Sequence, residues 1–275
     1  MATNRILFRA SALAAAAALL APAAQAADII TFPLTNGTPT VAGGKNYSVT
    51  VDGKTVNMRV TAWSTSGTAP TSTVKSATVN TYTNGLGVTS TGESTSSPHH
   101  TIDNKTNIDF LIFQFDQAVE LLSGKLTTYR FDNTKFDSDV TVAYGTTNTA
   151  WNAGLGLNNA TFATLDAMFA GPFTTISNAS TNGQTANTTL FNTAGNTGNI
   201  WLIGAAFANS AENCRSSGSG TGTKPCTDGF KLSQLKLETV SMVPEPGTWA
   251  MMIFGFGVIG GALRFKRKGQ LVAHA

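Results

Sequence analysis

A side-chain repeat of two residues runs through most of this sequence and constrains its fold more than any other feature. Residues 55–63 show it most clearly, because the apolar side chains of Val56, Met58, Val60 and Ala62 alternate with polar ones. Successive side chains of a β-strand point to opposite faces, so this alternation predicts a strand with one buried and one solvent-facing side. Residues 74–82 follow the same pattern less regularly.

An almost unbroken apolar run occupies residues 108–115. A short run without alternation predicts a strand that is buried on both faces. Residues 161–169 have the apolar spacing of a short helix. Further strands, separated by Gly- and Asn-rich breaks, are predicted over residues 118–122, 126–131, 140–144, 200–207 and 230–240.

Many short strands with turn residues between them predict an all-β body over residues 27–242. The architecture expected from this pattern is an antiparallel β-sandwich of jelly-roll-like type. No internal repeat of fixed period is present in the sequence, which argues against a solenoid or a propeller. The polar stretch 177–189 fits either a long loop or an edge hairpin.

Charged residues make up only 12% of the chain, against about 25% in typical soluble domains. The net charge of +3 comes from the two ends, since residues 27–263 hold 12 basic and 15 acidic side chains, a net charge of −3. Nucleic-acid binding needs clustered Lys and Arg. The body therefore lacks the charge of a nucleic-acid-binding protein.

Residues 1–26 have the three parts of a secretory signal peptide. Arg5 and Arg9 give a basic start, residues 11–22 are rich in Ala and Leu, and Ala24 and Ala26 form a small-x-small site. Cleavage is expected before Ala27, which implies signal peptidase and the secretion machinery as partners. An uncleaved anchor or an ordinary Ala-rich helix is the alternative.

The carboxy-terminal end combines an extended motif with a predicted membrane helix. Prolines stop a preceding strand, and an uncharged stretch over residues 247–263 follows them, near the lower length limit of a spanning helix. An interfacial Trp, glycines that permit close helix approach and a basic cluster at 264–268 support a single membrane anchor. The residues that carry this prediction are Pro244, Glu245, Pro246, Trp249, Gly255, Gly257, Arg264, Lys266, Arg267 and Lys268.

Residues 243–268 closely resemble the PEP-CTERM sorting domain of Gram-negative bacteria in the order of these features, and only the short tail 269–275 extends beyond them. The resemblance implies that exosortase, a membrane-embedded transpeptidase-like enzyme, cleaves near the Pro-Glu-Pro motif. It further implies an exported protein that is held transiently in the inner membrane and then reaches the cell surface or extracellular matrix. Members of the family are associated with exopolysaccharide and biofilm. A plain membrane anchor is the alternative.

A weaker resemblance covers residues 86–144. It rests on the Gly-Leu-Gly-Val sequence at 85–88, Glu93, the His-Thr-Ile-Asp-Asn sequence at 100–104, residues 109–115 and the Asp-Ser-Asp-Val sequence at 137–140. Their order is similar to the body of certain exosortase-dependent surface proteins. Those bodies are taken to be rich in β structure and have no assigned reaction, so the resemblance implies a class and not a function.

Cys214 and Cys226 are the two cysteines of the chain and flank a Gly-rich segment. An exported protein meets an oxidising compartment, so a disulfide between them is the expected state. A metal pair is the alternative, but no further Cys or His lies nearby in the sequence.

Oxygen-bearing side chains cluster around Asp103 and Asp109, and again around Asp137 and Asp139. Such groups are weak candidates for Ca²⁺, which binds six to eight oxygen ligands, although none has EF-hand spacing and turn capping is the favoured interpretation. No other cofactor is expected. The adjacent His99 and His100 are expected to be exposed, because no zinc-ligand spacing includes them.

No nucleophile elbow or phosphate-binding loop is present in the sequence, so a non-enzymatic surface or matrix protein is the favoured interpretation. A carbohydrate-binding module, with aromatic side chains that stack on sugar rings, is the first alternative. A secreted hydrolase acting on polysaccharide is the second, since paired carboxylates such as Asp116 and Glu120 depend on the fold. The aromatic candidates are Trp63, Trp151, Tyr129 and Tyr144.

Overall fold

The computed structural model describes residues 28–35, 40–41, 43–94, 96–131, 135–207, 214, 226–240 and 254–260. The chain divides into two compact units, and Ala27–Val240 forms one of them. This unit is the β body. Its described part contains thirteen strands and one short helix.

The strands pair antiparallel throughout the described body. The helix α1 spans Phe162–Asp166. The strands are β1 (Ile29–Pro33), β2 (Thr40–Val41), β3 (Lys45–Val51), β4 (Lys54–Thr65), β5 (Val74–Tyr82), β6 (Gly85–Thr89), β7 (Ile102–Asp103), β8 (Ile108–Thr128), β9 (Val140–Gly145), β10 (Thr174–Ile176), β11 (Ala186–Leu190), β12 (Gly198–Ala205) and β13 (Gly229–Thr239).

All thirteen described strands belong to one hydrogen-bonded sheet, and β8 is its centre because its two halves pair with different strands, which are named here the first and the second layer. Its first half lies between β4 and β12, and β9 and β10 continue that layer beyond β12. Its second half lies between β13 and β11, and β1 continues that layer beyond β13. Strand β6 pairs with both β5 and β13, which links the layers a second time.

The main core includes apolar side chains from both layers. Met58 and Phe113 come from the first layer, and Leu235 and Leu237 from the second, and all four are fully buried. A second apolar cluster lies on the other face of the first layer, where Phe110 and Ile112 pack with the segment around α1. The prediction that both faces of residues 108–115 are buried is therefore confirmed.

The all-β, antiparallel class and a helix within residues 161–169 are confirmed, and so is the alternation over residues 55–60, but from Val60 to Thr65 both faces of β4 are buried. The division of residues 108–131 into three strands was wrong, because β8 is continuous from Ile108 to Thr128. Asp116 does not end the strand, since both of its carboxylate oxygens accept hydrogen bonds from the Asn57 backbone and amide. Part of the polar stretch 177–189 pairs with β8 as edge strand β11.

Residues 254–260 are helical and exposed. No helix within the described part of the chain is both long enough and apolar enough to span a membrane. The helix proposed for residues 247–263 stays a prediction. The signal peptide, its cleavage site, the Pro-Glu-Pro motif, Trp249 and the basic cluster lie outside the described residues.

Two glycines of β6 allow the crossing of the layers. Gly85 has a φ of +114°, and a Cβ on this residue would lie 2.3 Å from the Leu232 carbonyl carbon. A Cβ on Gly87 would lie 2.0 Å from the His100 carbonyl oxygen. The obstructing atoms are backbone atoms, so only glycine lets β6 approach β13 and the segment before β7 this closely.

We expect Gly87→Ala to lower the free energy of unfolding by about 3 kcal/mol, because the new methyl group must displace backbone. Gly154→Ala is the matched control, since a Cβ there meets nothing within 4 Å, and its effect should stay below about 1 kcal/mol. Denaturant unfolding of both variants measures the difference. Equal stabilities would contradict the close approach at β6.

Candidate functional site

Two groups of carboxylates, most of them buried, lie close to β7. Glu93, Asp103 and Asp109 form the first group, named here the Asp109 cluster. One ligand oxygen from each of its residues lies within 4.8 Å of the other two. Asp103 and Asp109 are completely or almost completely buried, and Glu93 is half-buried.

Three elements bring the Asp109 cluster together. Asp109 lies near the start of β8, Asp103 ends β7, and Glu93 belongs to the loop after β6. Glu93 Oε2 accepts a hydrogen bond from the Ser90 N–H at 2.9 Å. The Glu93 carboxylate thus lies close to the start of a core strand.

Asp103 is only partly satisfied by protein donors. Its Oδ1 accepts from the Lys105 N–H at 3.1 Å, and its Oδ2 lies 3.0 Å from the Thr101 hydroxyl. That hydroxyl has one hydrogen and lies nearer to the Pro98 carbonyl, at 2.7 Å. Burial is the main cause that raises the pKa of Asp103 to about 7.

Asp109 is the most unusual group in the described body. Its side chain is fully buried, and neither carboxylate oxygen has a hydrogen-bond partner among the described residues. Burial, followed by the charges of Asp103 and Glu93, raises the pKa of Asp109 well above its usual range. The Ser90 hydroxyl and the Asp103 N–H oppose this shift but do not reach hydrogen-bond geometry.

Asp137, Asp139 and Asp228 form the second group, named here the Asp228 cluster, and all three are buried. Protein donors bind it at several points. Asp228 Oδ1 accepts from the Asp139 N–H at 2.8 Å, and Asp139 Oδ1 accepts from the Asn178 N–H at 2.7 Å. Burial, followed by the charges of Asp137 and Asp139, raises the pKa of Asp228 well above its usual range.

Asn104 joins the two clusters. It follows Asp103 in the chain, and its side-chain amide donates to Asp228 Oδ2 at 2.6 Å. The side-chain oxygen Oδ1 of Asn104 accepts from the Asp228 N–H at 3.0 Å, and the side-chain amide also donates to the Ala206 carbonyl. The end of β7 is thereby held to the segment that leads into β13.

The disulfide between Cys214 and Cys226 is confirmed, with their Cα atoms 4.9 Å apart. Cys214 Sγ lies 3.5 Å from Asp137 Oδ2. A disulfide sulfur has no hydrogen to donate, so this is a packing contact. The same two sulfurs and Asp137 are close enough to surround an ion, but metal binding requires thiolates, which the disulfide removes.

A lysine buried among aromatic rings follows Asp228 by three positions in the sequence. Lys231 Nζ is 3.6 Å from the centroid of the Tyr82 ring, 5.0 Å from that of Tyr129 and 3.1 Å from His100 Nε2. Burial lowers the pKa of Lys231 to about 8. Burial, followed by the positive charge of Lys231, lowers the pKa of His100 to about 4. The expectation that His100 is exposed was wrong, because its ring packs edge-on against Tyr82.

Of the four aromatic candidates for sugar stacking, one is buried and three are half-buried. Trp63 is buried and donates to the Thr61 hydroxyl, and Tyr144 packs against the buried Trp201. Tyr129 and Trp151 are half-buried. Among the paired carboxylates considered for hydrolysis, Asp116 binds Asn57, and Glu120 accepts from Asn192 at 3.4 Å.

The structure divides the four aspartates singled out as calcium candidates into two sites. Asp103 and Asp109 belong to one cluster, and Asp137 and Asp139 to the other. Sequence reasoning missed the third member of each. Glu93 could have been found from its place between the Gly-Leu-Gly-Val and His-Thr-Ile-Asp-Asn sequences, whereas Asp228 gives no sequence signal because it lies 89 residues from the backbone N–H that it binds.

The raised pKa of Asp228 predicts a pH-dependent stability. The folded state binds a proton at this carboxyl more tightly than the unfolded chain, whose aspartate pKa is 3.8, so the unfolding free energy falls as pH rises above 3.8. We expect Asp228→Asn to reduce that slope by up to about 1.4 kcal/mol per pH unit. Denaturant unfolding at a series of pH values in metal-free buffer measures it.

Asp166→Asn is the control for this experiment, because it removes an exposed carboxylate at the end of α1. It should keep the wild-type slope. Some slope remains in Asp228→Asn, since Asp103 and Asp109 also have raised pKa values. An Asp228→Asn protein with the full wild-type slope would refute the assignment of that titration to Asp228.

Comparison with known proteins identifies one part of the chain. Residues 243–268 match the family model described as the PEP-CTERM protein-sorting motif. No curated protein matches the chain, and no solved structure matches it either. The match covers the segment in which the Pro-Glu-Pro sequence, the uncharged stretch and the basic cluster occur in order. The chain is therefore a PEP-CTERM sorting domain-containing protein.

Proposed function

We propose that this protein is a non-enzymatic component of the cell surface or extracellular matrix that exosortase processes after export. The sorting motif at residues 243–268 is the observation that carries the proposal. A signal peptide at residues 1–26 would direct the chain across the inner membrane, and the helix at 247–263 would hold it there transiently. Cleavage near Pro-Glu-Pro would then free the β body.

The division of the chain supports this order of events. Ala27–Val240 forms a compact unit with its own core, and the sorting motif lies outside it. Cleavage at residues 244–246 would therefore cut no strand of the described body, whose last strand ends at Thr239. The proposed product is a folded β body, which we assign to the jelly-roll-like sandwiches.

The state of the chemically active side chains supports a non-enzymatic role. Five aspartates of the two clusters are at most 2% exposed, and so cannot touch a polymer substrate without local opening. Lys231 is 3% exposed and His100 is 8% exposed, and they contact each other. A general acid or base must lie within hydrogen-bond reach of its substrate. These buried groups do not offer that reach to a polymer.

The proposed partner outside the cell is exopolysaccharide in a biofilm matrix. The body has few charges and many Thr, Ser, Asn and Gly residues. Such a surface offers neutral hydroxyl and amide groups that hydrogen-bond with sugar hydroxyls. The association is expected to spread over the surface, since the aromatic candidates are buried or half-buried.

Replacing Pro244, Glu245 and Pro246 with alanine tests the processing step. We expect the triple variant to accumulate in the inner membrane with its carboxy-terminal tail attached, because the sequence that exosortase would recognise is gone. Fractionation followed by intact-protein mass spectrometry measures both the location and the length of the chain.

The matched control replaces Val240, Ser241 and Met242 with alanine. These residues adjoin the motif but lie outside the matched segment, so the control should be trimmed and released like the wild type. Deletion of the exosortase gene should reproduce the triple variant. Release of the triple variant with a trimmed tail would overturn the proposed role of the motif.

A further inference from the structure

We propose that the Asp109 cluster, formed by Glu93, Asp103 and Asp109, binds one Ca²⁺ ion. The proposal rests on the geometry of the β body and is independent of the sorting motif. Nothing in the resemblance or in the family match assigns a metal to this protein.

The spacing of the cluster fits an ion of this size. Calcium binds oxygen at about 2.3–2.6 Å, so two oxygens on opposite sides of the ion lie about 5 Å apart, and others lie closer. The three carboxylates each offer an oxygen within 4.8 Å of the other two. A single ion can therefore contact all three residues without rearrangement of the strands.

The unpartnered carboxylate of Asp109 points to a ligand. Buried polar groups nearly always have a hydrogen-bond partner, and an unpaired buried charge is far more costly than an unpaired neutral group. Both oxygens of Asp109 lack a partner among the described residues, and so does Oε1 of Glu93. A cation in the cluster would satisfy all three atoms at once.

The charges also fit a divalent cation. Three ionised carboxylates would offset a divalent ion and leave one negative charge. Lys105 lies close enough to lower the pKa of Asp103 by its positive charge. The cluster, one divalent ion and Lys105 would therefore be close to neutral, which is what a buried site requires.

The ligand atoms favour calcium over transition metals. All three side chains offer carboxylate oxygen, and the Ser90 hydroxyl oxygen lies nearby, where it accepts from Asn107 Nδ2 at 3.1 Å. Hard oxygen ligands suit Ca²⁺ and Mg²⁺, whereas zinc and copper favour nitrogen and sulfur. Calcium tolerates an irregular arrangement of loop and strand ligands, while Mg²⁺ demands nearly ideal octahedral geometry.

A bound ion would connect three separate elements. Glu93 lies in the loop after β6, Asp103 at the end of β7 and Asp109 in β8. The described residues of the segment between β6 and β7 contact the body near its two ends, through Ser90 at one end and through the His99 and His100 rings at the other. Calcium would therefore hold this segment to the core strand.

The Asp228 cluster is not included in the proposal. Its carboxylates accept backbone N–H groups and the Asn104 amide, so protein donors already satisfy much of its negative charge. The two clusters thus offer an internal comparison, since both contain three acids but only one contains an unpartnered carboxylate.

The test uses the full-length chain, purified in mild detergent and stripped with a chelator. Extracellular calcium modules bind with Kd values of about 10⁻⁴–10⁻³ M. At a hundredfold excess over Kd, CaCl₂ should raise the Tm by about 5–10 °C. The same concentration of MgCl₂ should give a much smaller rise in Tm. Equilibrium dialysis with ⁴⁵Ca²⁺ should show saturable binding of one ion per chain, and the Asp109→Asn variant should lose this binding.

Asp109→Asn separates binding from folding. It should abolish the calcium-dependent rise in Tm, while its Tm in chelator equals or exceeds that of the wild type, because an amide, unlike a buried carboxyl, needs neither a proton nor a cation to be neutral. Glu93→Gln keeps the acceptor for the Ser90 N–H and should weaken calcium binding at least about tenfold. Asp166→Asn should respond to calcium like the wild type.

Three results would overturn the proposal. One is a wild-type Tm that calcium leaves unchanged. Another is a calcium response that persists in both Asp109→Asn and Glu93→Gln. An equal response to magnesium would overturn the assignment of calcium. Failure of the sorting variant described above would leave all of these measurements unaffected, because none of them depends on processing.

Discussion

The continuity of β8, whose two halves pair with different strands, is the constraint on which the rest of the body depends. Its first half lies between β4 and β12, and its second half lies between β13 and β11. Each of these partner strands pairs with only part of β8, and each is shorter than β8. The main core contains side chains from both halves of β8, such as Phe113 from the first and Leu126 from the second.

The position of β8 also explains why acidic side chains are buried in a chain that has few charges. Strand β8 begins with residues that pair with the end of β4, so Asp109 enters the interior opposite Ser64. Asp228 immediately precedes β13, whose first residues pair with β7. Buried carboxylates require protons, hydrogen-bond donors or cations. The Asp228 cluster uses donors, and the unpartnered Asp109 cluster provides the case for a cation.

Local sequence predicted those features that depend on neighbouring residues. The alternation of Val56, Met58 and Val60, the buried run in β8, the helix near Phe162 and the disulfide were each visible from spacing or residue type. The continuity of β8 was not predicted, because its partners β4, β12 and β13 lie far from it in the sequence. The burial of His100 was also missed, since Lys231 lies 131 positions away. Long-range pairing decides these features, and periodicity does not report it.

The disulfide and the proposed calcium site are two cross-links that do not depend on apolar packing. The disulfide between Cys214 and Cys226 lies next to the Asp228 cluster, and the Asp109 cluster includes a residue of the loop after β6. Disulfides form in oxidising compartments, and weak calcium sites fill where calcium is abundant. Both conditions are met after export and not before it. The sorting motif would keep the chain at the membrane during this period, so the body could complete both cross-links before exosortase separates it from its anchor.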